Sequence, residues 1–364
     1  MPAPRPVAVV TGSRADFGLL APVMRAVAEH PILQLQTVVT GTHLSAGTID
    51  DVKRAGFAID AKVTMQKKAR TGRQADAAAL GRGVSGLTEA FAQLQPHWVV
   101  VLGDRIEALA AASTAAVMGV RLAHLHGGDR AEGVADDAMR HAVSKLAHLH
   151  LPATKQSARR LVRMGEVDAR IHVVGSPAVD GLDEIAPHPG AGAPDFLVMH
   201  HPTGRDDETE RRWARAVLAA TANRSRRVFL PNHDPGRAGI LSAIQELVDP
   251  DQVVEHLARP EFLWMLKGAR CIVGNSSAGL IEAAALRTPC VNVGDRQAGR
   301  EKPRNVVDTP PSKRRIVGAI LEAQRLNLAR ARHPYGDGQT GPRVADLLTD
   351  RALDTLPIRK RNAY

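Results

Sequence analysis

The run 98–102, WVVVL, is five apolar residues without a polar one among them, and Gly103, Asp104 and Arg105 follow at once. A strand with one wet face alternates apolar and polar residues. An unbroken apolar strand is covered on both faces, as in a parallel sheet flanked by helices. An Ala-rich helical stretch, 106–118, comes next, and then another short apolar run, 122–125. Strand, polar loop, helix and strand in that order form the unit of a doubly wound α/β sheet.

The unit recurs along the chain. Strands are expected at 7–10, 35–39, around Val63, and at 98–102, 122–125 and 171–174. Between them, apolar spacing predicts helices at 19–29, 78–93, 106–118, 136–147 and 157–164. The segment 181–195, GLDEIAPHPGAGAPD, is rich in Pro, Gly and Ala and reads as a linker. After it the alternation restarts, with strands at 196–199, 227–230, 252–254, 272–273 and 289–293. Helices are expected at 209–220, 238–246, 261–267 and 280–286, and a last one at 343–348. A chain of 364 residues exceeds a usual single core and suits two domains of roughly 150–200 residues each. The fold class is therefore α/β, two doubly wound Rossmann-like domains facing a cleft. The expected parts are an N-terminal domain, 1–183, carrying candidate acid/base carboxylates, a C-terminal Rossmann-like domain, 184–348, whose ligand is argued below, and a tail, 349–364. Open α/β sheets bind ligands at the carboxyl ends of their strands. That draws attention to the polar loops 12–18, 41–45, 103–105, 126–137, 200–205, 231–237 and 274–279.

Composition removes several classes. The formal charge of +10 permits nucleic-acid binding, but basic residues lie in small groups with acids between them. Aromatic content is 3%, too little for stacking platforms on single strands. A small anionic substrate explains the charge as well. No stretch approaches the roughly 18–20 apolar residues that span a bilayer. The N-terminus enters a strand directly, without a signal-peptide core. The two cysteines, Cys271 and Cys290, read as reduced core residues, and the expected compartment is the cytoplasm.

The loop Gly274–Gly279, GNSSAG, follows an apolar strand and precedes a helical pattern. Free backbone N–H groups at such a junction attract phosphate. An ordinary tight turn also favours Gly and Ser, so both readings stand on the loop alone. Glu282, among Leu280, Ile281 and three alanines, needs partners if buried. It is placed to take a ribose diol, and Arg296 is a candidate partner for it or for phosphate.

Elsewhere, Arg14 is a candidate phosphate ligand or a surface residue. Asp104 is either an acid/base group or a cap for the next helix. Spacing pairs Asp136 with Arg140 and Asp137 with His141. Asp129 and Glu132 supply further carboxylates, and Glu107 reads as a salt-bridging residue. His200 and His201 can donate to phosphate or move a proton. His124, His126, His141, His148 and His150 match no zinc spacing, so no metal is expected.

Together, VVTGSRADFG, VLGDRIEALA, HLHGGDRAEGVADDAMRHAVSKLAHLH, GNSSAGLIEAAALRTPCVNVGDRQAGRE and YGDGQTGPR resemble the hydrolysing UDP-N-acetylglucosamine 2-epimerases. The resemblance runs from about Val7 to Leu348. It implies a glycosyltransferase-B-like fold, a UDP-linked 2-acetamido sugar as substrate and no cofactor. The implied chemistry removes the C2 proton as UDP leaves C1, forming a 2-acetamidoglycal. Water then adds at C1, and a proton returns to C2 with inverted configuration. Residue by residue, the resemblance puts Arg14, Ser276 and Ser277 on the diphosphate and Glu282 on the ribose. Arg105, His201, Asn232 and Arg296 match other nucleotide-contacting positions, with His201 also a proton-transfer candidate. Asp104 and Asp136 match catalytic carboxylates, with Asp137 beside them.

One position departs from the pattern. Where many relatives carry a glutamate before paired glycines, this chain has His126, leaving Asp129 or Glu132 to supply a carboxylate. A homodimer or larger homo-oligomer is also implied. Non-hydrolysing epimerases and glycosyltransferases of the same fold are the competing activities.

Overall fold

The computed structural model describes every residue except 1–3, 68–71, 131–136, 186–191, 233, 356, 362 and 364. Its contacts divide the chain into two compact units. The first takes in the described residues up to Asp129, Asp137–Asp180 and Gly336 onward; the second takes in Arg130 and Gly181–Tyr335.

The first unit is built on six parallel strands: β1 (Arg5–Thr11), β2 (Leu33–Thr40), β3 (Ala61–Val63), β4 (Trp98–Leu102), β5 (Arg121–Leu125) and β6 (Leu149–Leu151). Their order across the sheet is β3-β2-β1-β4-β5-β6. The second unit repeats the plan with β7 (Phe196–Met199), β8 (Arg226–Phe229), β9 (Val253–Val254), β10 (Cys271–Gly274), β11 (Cys290–Val293) and β12 (Val306–Thr309). These run β12-β11-β10-β7-β8-β9. Strand order reverses between β1 and β4 in one sheet and between β7 and β10 in the other. At such switch points the loops leave in opposite directions and open a crevice at the carboxyl edge.

The apolar run at β4 is covered on both faces, as expected. Trp98 and Val100 join a core with Leu20, Val23 and Leu348, while Val99 and Val101 face Leu87, Phe91 and Ala111. Burying each such side chain stabilises by about 1.5–3 kcal/mol. The second sheet packs Val198, Val273 and Val291 against Val217, Leu218 and Ile316.

Several expectations need correction. The helix expected from 19 begins at Arg14, because Ser13 and Asp16 form a capping box that sets its start. Residues 171–174 are not a strand; Ile171 makes an isolated bridge to His150. Strand β12 and the helix Lys313–Ala323 were not expected. The edge strand's VVDT is short and half-exposed, so it lacks a legible period. The described residues from Gly336 onward belong to the first unit instead of closing the second. The helix Thr340–Thr349 is capped by Asp180, whose carboxylate accepts from Thr340 and Gly341 N–H at 3.0 and 2.7 Å. A Cβ on Gly341 would lie 2.6 Å from the Pro22 carbonyl, so glycine permits the close approach of this helix to Arg14–Glu29. Part of the linker, 186–191, lies outside the described residues.

The chain end is anchored as well. Lys360 donates to the Ser144 and Lys145 carbonyls at 3.1 and 2.9 Å, at the end of helix Asp137–Leu146. It also pairs with Glu166 at 2.5 Å. Glu166 is buried and further holds Lys145 at 2.8 Å and His150 at 2.9 Å.

Candidate functional site

At the carboxyl edge of the first sheet, Gly103 turns the chain after β4 with φ +77°. Asp104 follows. Arg105, not Asp104, is the N-cap residue of helix Ile106–Met118, and no side chain caps it. The Asp104 carboxylate instead forms an ion pair with Arg140, from helix Asp137–Leu146. Arg140 is buried, and its other terminal nitrogen donates to the His126 carbonyl at 3.3 Å. A buried guanidinium beside a carboxylate favours the ionised acid.

Glu107 lies below, 2% exposed. It accepts from Gln66 Nε2 at 2.8 Å and pairs with Arg105 Nε at 3.5 Å. It wedges against the ends of β1 and β2, where a Cβ on Gly12 would meet Glu107 Cγ at 2.6 Å.

The five histidines of the sequence reading have separate partners. His126 sits at φ +60° and is locked between Asp129 (2.9 Å) and Ser176 (3.0 Å). Asp129 also accepts from Ser157 Oγ at 2.7 Å. His126 and Asp129 are both buried, so their side chains are taken up by the fold. Asp137 pairs with His141 at 3.5 Å, as the spacing predicted. His148 contacts the Ile358 carbonyl and His150 contacts Glu166. His124 is described further below. Glu132 and Asp136 lie outside the described residues. Arg14 opens its helix and pairs with Asp51. Burial raises the Asp51 pKa, but Arg14 and Arg54 outweigh that and hold it below the usual carboxylate range.

At the carboxyl edge of the second sheet, Asn275 organises the switch point. Its side chain accepts from His201 N–H at 2.7 Å and donates to the His201 carbonyl at 2.8 Å, tying the end of β7 to the end of β10. Its own carbonyl accepts from Arg296 at 3.2 Å and Gln297 at 2.8 Å. His201 Nδ1 accepts from Asn232 N–H at 3.3 Å, so the neutral ring carries its proton on Nε2. Burial, then the nearby Arg296 charge, holds His201 well below the usual imidazole range. Burial holds His200 at about 4. The Asn232 side chain donates to Asp234.

The serine loop is real, but the helix after it is not as expected. A 3-10 turn, Ser277–Gly279, gives way to a four-residue helix, Glu282–Ala285, with Ile281 at φ −102°, ψ −74° between them. The turn is closely packed: a Cβ on Gly279 would lie 2.4 Å from Cys290 Sγ. So short a helix has little dipole, which leaves local N–H groups as the donors this loop offers. Asn275 N–H donates to the Met199 carbonyl, Ala278 to Ser276 Oγ, and Gly279 and Leu280 to the Ser276 and Ser277 carbonyls. Among the described residues, the Ser276 and Ser277 amides have no such acceptor. Glu282 is buried and pairs with Arg259 at 3.4 Å, not with Arg296.

Gly274 holds this edge together. It has φ +144°, and a Cβ there would meet the Met199 carbonyl at 2.0 Å. Gly274→Ala is expected to destabilise the protein by about 2–3 kcal/mol, measured by denaturant unfolding.

Sequence reasoning missed Asn275, Arg259 and Gln66, and saw Arg140 only as a helix partner. Asn275 carried a signal: a side chain with both donor and acceptor directly after a buried strand. Arg259 and Gln66 carried none, because they are distant in sequence from what they touch.

The chain matches the family described as UDP-N-acetylglucosamine 2-epimerase over residues 25–349. It is 36% identical to the UDP-N,N'-diacetylbacillosamine 2-epimerase (hydrolyzing) of Legionella pneumophila, covering 99% of this chain and all of that one. It is 31% identical to the UDP-N-acetylglucosamine 2-epimerase of Neisseria meningitidis serogroup B, covering 97% of each. In fold it is similar to a Neisseria meningitidis UDP-GlcNAc 2-epimerase bound to UDP-GlcNAc, with TM-score 0.79 at 17% identity over 94% of this chain and 99% of that one.

Proposed function

The chain belongs to the UDP-N-acetylglucosamine 2-epimerase family, and on that premise we propose that it is a hydrolysing 2-epimerase of a UDP-linked 2-acetamido sugar. The observation that carries the reading is the full-length likeness to the hydrolysing relative. Substrate and water become UDP and the free 2-epimeric sugar. A carboxylate takes the C2 proton as the C1–O bond breaks, leaving a 2-acetamidoglycal. Water adds across that double bond, its oxygen to C1, while a proton returns to the other face of C2.

The local chemistry supports these roles. Asp104, partly exposed and paired with Arg140, is the carboxylate assigned to the C2 proton. Asp137 and Asp136 are the further acid/base candidates. The buried contacts of His126 and Asp129 suit support of the Asp104 partner more than proton transfer. Ser276, Ser277 and Arg14 take the diphosphate, Glu282 the ribose, and Arg105, Asn232 and Arg296 other parts of the nucleotide. His201, neutral with Nε2–H, suits donation to the departing phosphate better than proton abstraction.

The test is incubation with UDP-N-acetylglucosamine and UDP-2,4-diacetamido-6-deoxy sugars in deuterated water, without an acceptor. The expected products are UDP and a free sugar carrying deuterium at C2. UDP release without C2 exchange leaves plain hydrolysis, and a UDP-sugar product identifies the non-hydrolysing reaction.

No helix among the described residues is long and apolar enough to cross a membrane. Two buried, free cysteines suit a reducing cytoplasm. A homo-oligomer is carried over from the resemblance and is tested by light scattering.

A further inference from the structure

His124 has no role in the proposed reaction, yet it is wholly buried at the foot of the Asp104 turn. Its Nε2 lies 2.8 Å from the Gly103 carbonyl, and its Nδ1 lies 3.1 Å from Ser144 Oγ. A carbonyl only accepts, so Nε2 carries the proton and Nδ1 accepts from the Ser144 hydroxyl. Ser144 lies one helical turn beyond Arg140 on the same helix, Asp137–Leu146. That helix therefore grips the Asp104 turn twice. Arg140 holds the carboxylate, and Ser144, through His124, holds the backbone immediately before it. Gly103 N–H also donates to the Leu125 carbonyl at 3.0 Å, so both backbone groups of this left-handed glycine are pinned by β5. The space is made by Gly127, where a Cβ would crowd His124 Nδ1 and Ser144 Oγ at 3.0 Å each. Burial takes the His124 pKa down to about 3, so the two hydrogen bonds keep their direction across the working pH range.

We propose that His124 is a positioning residue for the reaction, setting the place of Asp104 by tying the Gly103 carbonyl to Ser144. The inference rests on the epimerase reading for its catalytic consequence. A displacement of about 1 Å in a reacting group can cost 10²-fold in rate, so a strap on the adjacent carbonyl belongs to catalysis as well as to folding.

Amide side chains separate the two contacts. Glutamine places its nitrogen near His Nε2 and keeps donation to Gly103. Asparagine reaches only the Nδ1 position and loses it. H124N is expected to lower kcat by about 10²-fold while KM and UDP affinity stay within about twofold, and H124Q to recover kcat to within about tenfold of the parent. H124N with near-parent kcat overturns the proposal. So does equal loss of kcat in both variants with equal loss of thermal stability, which is packing alone. If H124N does not fold, Ser144→Ala frees Nδ1 and is expected to lower kcat by about tenfold; unchanged kcat overturns the proposal.

Amide hydrogen exchange reads the strap without substrate. Protection of residues 103–105 is expected to fall in H124N and persist in H124Q, and unchanged protection in H124N overturns the proposal. Absence of UDP release by the parent protein would sink the epimerase reading instead, and exchange would still decide whether His124 holds the turn.

Discussion

Asp104→Asn is expected to reduce turnover by about 10²–10⁴-fold while UDP still binds with near-parent affinity. The substitution conserves shape and keeps an acceptor for Arg140, so the turn after β4 stays in place. It removes the negative charge that, on the proposed reaction, takes the proton from C2. An amide cannot substitute for that at any pH. UDP affinity is expected to survive because Ser276, Ser277 and Glu282 are carried by the loops of the other sheet. Steady-state kinetics and UDP calorimetry on one preparation separate the effects. Near-parent turnover would remove Asp104 from the chemistry, and lost UDP binding would make it a nucleotide ligand.

Glu166→Ala is expected to cost about 1–3 kcal/mol of stability, because it removes the buried acceptor that His150, Lys145 and Lys360 share. Burial raises the Glu166 pKa, but hydrogen bonds from His150, Lys145 and Lys360 outweigh it and hold the group at about 2, against 4.5 ordinarily. A carboxylate with a lowered folded pKa contributes stability that is fully present above the unfolded value and is lost as pH falls toward the folded one. The Glu166 contribution is therefore intact above about pH 4.5 and fades toward about pH 2. Buried His150, also lowered by burial, acts in the same direction from a higher pH. Below about 6.5 the unfolded chain takes up a proton that the folded chain refuses. Unfolding curves from pH 8 to 3 are expected to show stability falling first below about 6.5 and again below 4.5. The second step should be smaller in the Ala variant, with Asp51, also held low, supplying part of what remains. A variant as stable as its parent would show that the buried pairs contribute nothing net, and loss of Lys360 by truncation tests the same anchor from the other side.

How much was legible follows from the range of each interaction. The run 98–102 announced a strand buried on both faces, and helix Ile106–Met118 emerged at its expected bounds. Both are set by local pattern. The i, i+4 pair of Asp137 and His141 was equally local. The extent of the first unit was not legible, because Thr340–Thr349 owes its place to Asp180 and to Pro22, more than 150 residues away. Nor was the broken helix at Glu282, where the turn before it packs Gly279 closely against Cys290 Sγ, 11 positions on.

The sequence by itself determined two α/β repeats, the polar loops at their strand ends, and the family. Each is written in short-range pattern or in contiguous motifs. Only the tertiary structure decided what those loop residues face. Asp104 meets Arg140 across 36 positions, Glu282 meets Arg259 across 23, and Asn275 meets His201 across 74. A carboxylate becomes a base, a cap or a strut according to the charge and burial around it, and those are properties of neighbours that the chain brings together only when it folds.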